Sequence, residues 1–327
     1  MPKAVEMCEE LIGRCLSGQR LNRDEALSVL DKNLPDESRA AVMASADARA
    51  RSIAGNRGRV YAAIGVDSAP CPRNCAFCSH GASWGVYGKP YEMTVEDVCR
   101  HATEIAKHSP DWLTLRTTQD YGIERVCLLA KEVRAVLQRE TALVVNTGEF
   151  AVGDCDRLLA AGVAAVYHTF RLREGRDTGV SPEERLRTLS LIRDSGLDLF
   201  ALVEPIGPEH TDEELVNAAF RLKDYGVSHS GAMARVPVPG TPLFGLGTVS
   251  DERLSRIVAM TRLISGPEVE AICVHPPLPA AMRTGANIVV VECGAIPRDR
   301  ADTSEPWRRF GFDAAKDMLR NAGFFVR

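Results

Sequence analysis

The residues best suited to chemistry are Cys71, Cys75 and Cys78, spaced C-x3-C-x2-C. Three thiolates this close together can wrap one face of a cubane iron–sulfur cluster, because a short loop can turn each sulfur onto a different iron. Three protein ligands leave the fourth iron open to a substrate or cofactor, which a four-cysteine electron carrier does not offer. The competing readings are a zinc site and three incidental thiols. Zinc sites as a rule show two ligand pairs, and the sequence contains no second C-x2-C pair.

The remaining candidates depend on where the chain places them. From residue 59 the sequence alternates short β-rich runs with amphipathic helical stretches. The strands are expected at 60–66, 112–117, 142–147, 164–169, 197–204, 228–236, 271–275 and 288–293. Helices are expected at 94–108, 124–139, 154–161, 182–195, 212–225 and 251–265, with a last one at 312–321. Eight strands alternating with helices predict an α/β fold with a parallel sheet, most simply closed as a (βα)8 TIM-type barrel. A doubly wound open sheet is the competitor, weakened by the lack of a glycine-rich fingerprint after the first strand. The cysteine triplet falls in the loop after that strand. Residues 1–56 read as a helical N-terminal extension, with Asn22 and Glu25 forming a capping box. Residues 57–327 read as the barrel with its short C-terminal helix.

Barrel sites sit at the C-terminal ends of the strands. That rule selects Arg116, Asn146, His168, Glu204, Arg235, His275 and Glu292 as one polar rim. Period-two alternation puts Ala271, Cys273 and His275 on one face and sends Glu292 and Cys293 to opposite faces. Cys8, Cys15, Cys99, Cys127 and Cys155 fall on helices, where buried structural thiols are expected. His80 and Trp84 follow the triplet and are expected to shield it. Tyr87 and Tyr91 share that long loop as possible contacts, and Arg298 could serve in a lid.

The chain has 327 residues, 45% hydrophobic and 26% charged, with a net charge of −4. This is the composition of a folded globular chain, neither disordered nor fibrous. No basic field invites nucleic acid, and no apolar run approaches the ~18 residues of a membrane span. The opening segment lacks the layout of a signal peptide. The expectation is a cytoplasmic protein, in which ten cysteines suggest a metal or redox centre before a disulfide framework.

The triplet, with Phe77 just before its last cysteine, resembles the signature of the radical S-adenosylmethionine superfamily. The order of later motifs is similar to the biotin synthase-like group. Ala161-Gly162-Val163 followed by Val166-Tyr167-His168, the helix 184–196, the turn 205–211, the run 235–243 ending Gly240-Thr241-Pro242-Leu243, and Gly285-Ala286-Asn287 all follow that pattern. The resemblance implies a 4Fe–4S cluster on Cys71, Cys75 and Cys78 with S-adenosyl-L-methionine on its open iron. It also implies cofactor contacts from Phe77, Thr117, Thr169, Arg171, Glu204, Ile206, Val236 and Val238, a small-molecule substrate, and flavodoxin or ferredoxin as reductant.

The sequence departs from biotin synthase itself. At the positions matching that enzyme's second cluster stand Thr114, Val144, Phe200 and Ala271, none of which replaces a missing thiolate. The ribose-contacting pair of the group is replaced by Thr169-Phe170-Arg171, which leaves Arg171, Arg173 or Glu174 as substitutes. The expected substrate set is Arg116, Asn146, His168, Arg235, Cys273, His275 and Glu292. Their guanidiniums favour an anionic substrate, and the expected chemistry is rearrangement or fragmentation. Sulfur insertion with an auxiliary iron–sulfur cluster, using Cys273 or Cys293, is the alternative. A non-catalytic iron–sulfur carrier or scaffold is the rival of another class.

Overall fold

A computed structural model describes residues 2–86, 90–296 and 310–327, with backbone only for residues 2–8. Tyr87 and Arg298 lie outside the described residues.

The strands are β1 (Arg59–Gly65), β2 (Asp67–Ser68), β3 (Tyr91–Glu92), β4 (Trp112–Arg116), β5 (Ala142–Asn146), β6 (Ala165–Tyr167), β7 (Asp198–Phe200), β8 (Val203–Ile206), β9 (His229–Ala234), β10 (Ala271–His275) and β11 (Ile288–Gly294). The helices are α1 (Pro2–Leu16), α2 (Arg23–Leu30), α3 (Asp36–Ala54), α4 (Val95–Ala106), α5 (Ile123–Val136), α6 (Asp154–Ala160), α7 (Pro182–Arg193), α8 (Asp212–Asp224), α9 (Asp251–Ile264) and α10 (Phe312–Asn321). Among the described residues, the parallel sheet runs β10-β11-β1-β4-β5-β6-β7-β9, and β9 pairs again with β10, closing a TIM-type barrel.

The expected fifth strand is interrupted. Instead of one run over 197–204, β7 pairs with β6 and, at Phe200, with β9, while β8 pairs with β9 alone through an irregular register. The backbone groups of the break are met from both sides. The Ala201 N–H donates to the His229 carbonyl, and the Leu202 carbonyl accepts from the Thr169 hydroxyl.

Alternation decides which side chains enter the lumen. On β4, Leu113 and Leu115 pack outward under the helices, while Trp112 and Thr114 face inward. The same parity puts Val60, Ala62 and Ile64 outward from β1 and Tyr61 inward. Tyr61, Trp112, Phe200 and His229 meet as an aromatic layer, with ring centroids 4.0–6.3 Å apart. Below this layer, the Arg59 guanidinium lies 5.4 Å from the Trp112 ring and pairs with Asp111 at 3.2 Å. The N-terminal end of the barrel is therefore stoppered.

The leading helices form as expected, and the Asn22–Glu25 capping box starts α2. These helices cover α9, whose residues Leu254–Ile264 are all buried, the signature of a helix packed on every side. Arg256 donates to the Val29 and Asp31 carbonyls, ending α2.

Asn287 is fully buried where β10 and β11 begin. Its amide accepts from the Ile272 N–H at 2.8 Å and donates to the Arg57 and Glu270 carbonyls. Replacing it with Ala leaves buried groups unpaired, each at about 1–3 kcal/mol. We expect Asn287→Ala to lose about 3 kcal/mol, read as a lower urea midpoint at an unchanged m-value.

Candidate active site

The cysteine loop is held by its backbone. After β1, the Asp67 carboxylate accepts from the Thr118 N–H and hydroxyl, tying the loop's start to the end of β4. The Cys71 N–H donates to the His80 carbonyl at 2.6 Å, and the Ala82 N–H returns a bond to the Cys71 carbonyl. Asn74 takes a left-handed conformation, at φ 45°, and its side-chain oxygen accepts from the Ser83 N–H. Asn tolerates that conformation better than most residues. The Cys78 N–H donates to the Cys75 carbonyl. Ala76 ties the loop to two others: its N–H donates to the Asp177 carbonyl at 2.8 Å, and its carbonyl accepts from the Leu243 N–H at 3.0 Å.

The three thiols line one cavity of about 220 Å³ that runs into the lumen. Burial pushes Cys78 up to about 12, reinforced by Cys75, and raises Cys71 as well. As thiolates they need a neighbouring cation; Arg171, electrostatically coupled to Cys75 and Cys78, supplies one. This donor set fits a cluster whose irons provide the remaining positive charge.

The expected contacts divide. Phe77, Thr117, Thr169, Arg171, Glu204 and Val236 line the cavity; Ile206 and Val238 are buried outside its lining. Of the three ribose-contact substitutes, Arg171 faces the cavity. Arg173 turns to Glu214 at 2.7 Å, and Glu174 turns to Arg185 at 3.0 Å. Arg116, Asn146, His168, Arg235, Cys273, His275 and Glu292 all line the same space. Cys293 does not; it packs on the outer side of β11 with the apolar core.

The rim charges come in pairs. Arg116 meets Glu292 at 2.6 Å, and His275 lies 3.3 Å from the other oxygen of that carboxylate. Arg235 is clasped by both oxygens of Glu209. Gly207 makes that clasp possible, since a Cβ there would overlap both side chains. Tyr167 donates to buried Glu204, whose other oxygen is 3.7 Å from Arg171. Burial works against the Arg171 charge, but Glu204 and Glu174 outweigh it and hold the guanidinium above its ordinary value.

A second buried group was not legible in the sequence. Arg185 of α7 reaches Glu149 at 2.5 Å, Glu174 at 3.0 Å and the His168 ring at 2.9 Å. Burial works to raise Glu149, but His168 and Arg185 overcome it and hold the carboxyl at about 2. Nothing in a charged helical run such as Glu184-Arg185-Leu186 marks one residue as inward. Tyr61 and Tyr167 were also missed as lumen residues; strand parity was the available signal.

His80 is buried and lines the cavity, whereas Trp84 braces the loop by donating to the Cys75 carbonyl at 3.1 Å. Tyr91 is exposed on β3. Cys15 and Cys155 are buried in helices, and Cys99 and Cys127 are partly buried against the core.

Residues 68–222 match the Radical SAM superfamily. The biotin synthase of Kocuria rhizophila is 27% identical over 284 residues, covering 78% of this chain; the chain spans 55% of that relative's length. Methylornithine synthase (PylB) superposes with a TM-score of 0.80 at 17% identity, covering 97% of both chains. The FeFe-hydrogenase maturase HydG from Carboxydothermus hydrogenoformans superposes with a TM-score of 0.79 at 15% identity, covering 99% of this chain and 80% of the maturase. By these findings the chain is similar to the radical SAM enzymes, a family that uses a 4Fe–4S cluster and S-adenosylmethionine. More narrowly, it resembles the biotin synthase-like group and departs from biotin synthase itself. Thr114, Val144, Phe200 and Ala271 all contribute to the inner wall of the barrel, where they offer no thiolate. Among the described residues, no helix is long and apolar enough to cross a membrane.

Arg185 balances two carboxylates in a nearly dry setting; its side chain is 2% exposed. Removing one partner from such a group costs about 3–5 kcal/mol. We expect Arg185→Leu to show that loss in chemical denaturation, and the triple variant with Glu149→Gln and Glu174→Gln to recover most of it.

Proposed function

We propose that this protein uses a cluster on Cys71, Cys75 and Cys78, with S-adenosylmethionine on its open iron, to start radical chemistry on a small anionic molecule in the lumen. When bound, this pair supplies one-electron cleavage of S-adenosylmethionine to methionine and a 5′-deoxyadenosyl radical that removes hydrogen from the substrate. The observation that carries the reading is that all three thiols, the seven polar strand-end candidates and Cys273 face one cavity.

The chain's own residues divide the remaining work. Phe77, Thr117, Thr169, Arg171, Glu204 and Val236 form the cofactor side, and Ile206 and Val238 support it from behind. Arg116, Asn146, His168, Arg235, Cys273, His275 and Glu292 form the substrate side. An incoming carboxylate would share Arg116 and His275 with Glu292, so a substrate that also offers a donor to that carboxylate is favoured over a simple anion. The aromatic layer closes the far end and keeps water from the reacting carbon. A flavodoxin or ferredoxin is the class of reductant this chemistry needs.

Rearrangement or fragmentation, in a biosynthetic or cofactor-assembly pathway, suits this lumen better than sulfur insertion. Below the cysteine loop the cavity lining includes one thiol, Cys273, among the described residues, and an auxiliary cluster needs more ligands. Iron analysis of anaerobically reconstituted protein separates the two: about four irons per chain supports the first, about eight the second. With dithionite and S-adenosylmethionine, the wild type is expected to release 5′-deoxyadenosine and methionine, and Cys78→Ala neither. No 5′-deoxyadenosine from wild type with a full iron complement would favour a carrier or scaffold instead.

A further inference from the structure

Three side chains in the lumen carry hydrogen on a heteroatom from which a carbon radical can take it. Cys273 lies midway along β10, facing inward and 7% exposed. Tyr61 and Tyr167 reach the same space from β1 and β6, and both feel Cys273 electrostatically. The backbones of β9 and β10 approach closely at this point: Gly231 pairs with Cys273, and a Cβ on Gly231 would overlap the Cys273 backbone. The thiol is thus held by two strands and has little freedom to leave the lumen. Burial pushes both phenols well up, so they keep their protons.

The cavity is also built to hold a ligand. Arg185 lines it, its side chain is 2% exposed, and its Nη2 has no hydrogen-bond partner among the described residues. A buried donor without an acceptor carries a desolvation cost that a bound polar group would relieve. The cysteine loop stands at the C-terminal mouth, and Cys273 lies deeper along the wall. A molecule between them has its activating group on one side and this thiol on another.

From this arrangement we propose that Cys273 is a catalytic residue that returns a hydrogen atom to the substrate-derived carbon radical, so that S-adenosylmethionine is consumed in each turnover rather than regenerated. The inference rests on the function proposed above. In this step the Cys273 S–H bond breaks homolytically and a C–H bond forms on the product. The thiyl left behind takes one electron from the same class of low-potential iron–sulfur or flavin carrier, and a proton from water, to restore the thiol. Each turnover then uses two electrons, one to start the radical and one to reset the cysteine. The reaction class is one whose last bond is a new C–H bond, such as a rearrangement or an inversion at carbon.

The test uses the reconstituted full-length enzyme with S-adenosylmethionine and dithionite in deuterium oxide, with no other substrate added. A carbon radical made in the lumen then takes hydrogen from the nearest exchangeable donor. Wild type is expected to give 5′-deoxyadenosine carrying one deuterium. In Cys273→Ala and Cys273→Ser the labelled fraction should fall to that of wild type run in ordinary water. The fraction is read only on product formed, so a variant with less folded enzyme still reports. A label that persists in both cysteine variants overturns the proposal, and a label lost only in Tyr167→Phe assigns the donor to the phenol and overturns it too. No 5′-deoxyadenosine from wild type instead defeats the underlying function. A second readout needs no turnover. A small methanethiosulfonate should label Cys273 through the mouth faster than Cys293 behind β11, as measured on their peptides, and equal or slower labelling of Cys273 counts against the assignment.

Discussion

Everything the cavity can do depends on Ala76, a residue with no chemistry of its own. Its two backbone bonds tie the cysteine loop to the turn at Asp177 and to the run ending at Leu243. A cluster held by three thiolates tolerates little error in sulfur position, and the thirteen-residue excursion between Pro70 and Trp84 would not hold its shape alone. The loop is shaped by peptide groups from three parts of the chain. Its side chains are thereby free to face the lumen.

The interior is also organised by charge pairing. Arg116 with Glu292, Arg235 with Glu209, and Arg185 with Glu149 and Glu174 each place a guanidinium against carboxylate before any ligand arrives. Such pairs add little net stability, because the desolvation of each ion offsets their attraction. Their value lies in fixing side-chain positions in a dry space, where a shared hydrogen bond can be exchanged for one to a ligand without rebuilding the site.

Strand parity was legible where a polar side chain or a thiol marks one face of an otherwise apolar strand. Glu292 against Cys293 is one instance, and Ala271, Cys273 and His275 on one face is another. The strand-end rule named Arg116, Asn146, His168, Glu204, Arg235, His275 and Glu292, and these line one cavity. It said nothing about their partners, because Arg116 and Glu292 are 176 residues apart and pairing at that range leaves no local trace. Arg185 was hidden for a related reason: only tertiary packing distinguishes an inward arginine from a solvated one on a charged helix. The broken fifth strand escaped notice because Phe200 and Val203 on either side of it suit a strand; the register change with β9 decides the matter.

The aromatic stopper of Tyr61, Trp112, Phe200 and His229, backed by Arg59, turns the barrel of described residues into a cup closed at its N-terminal end. Whatever rests on its bottom passes the cysteine loop on the way in and again on the way out.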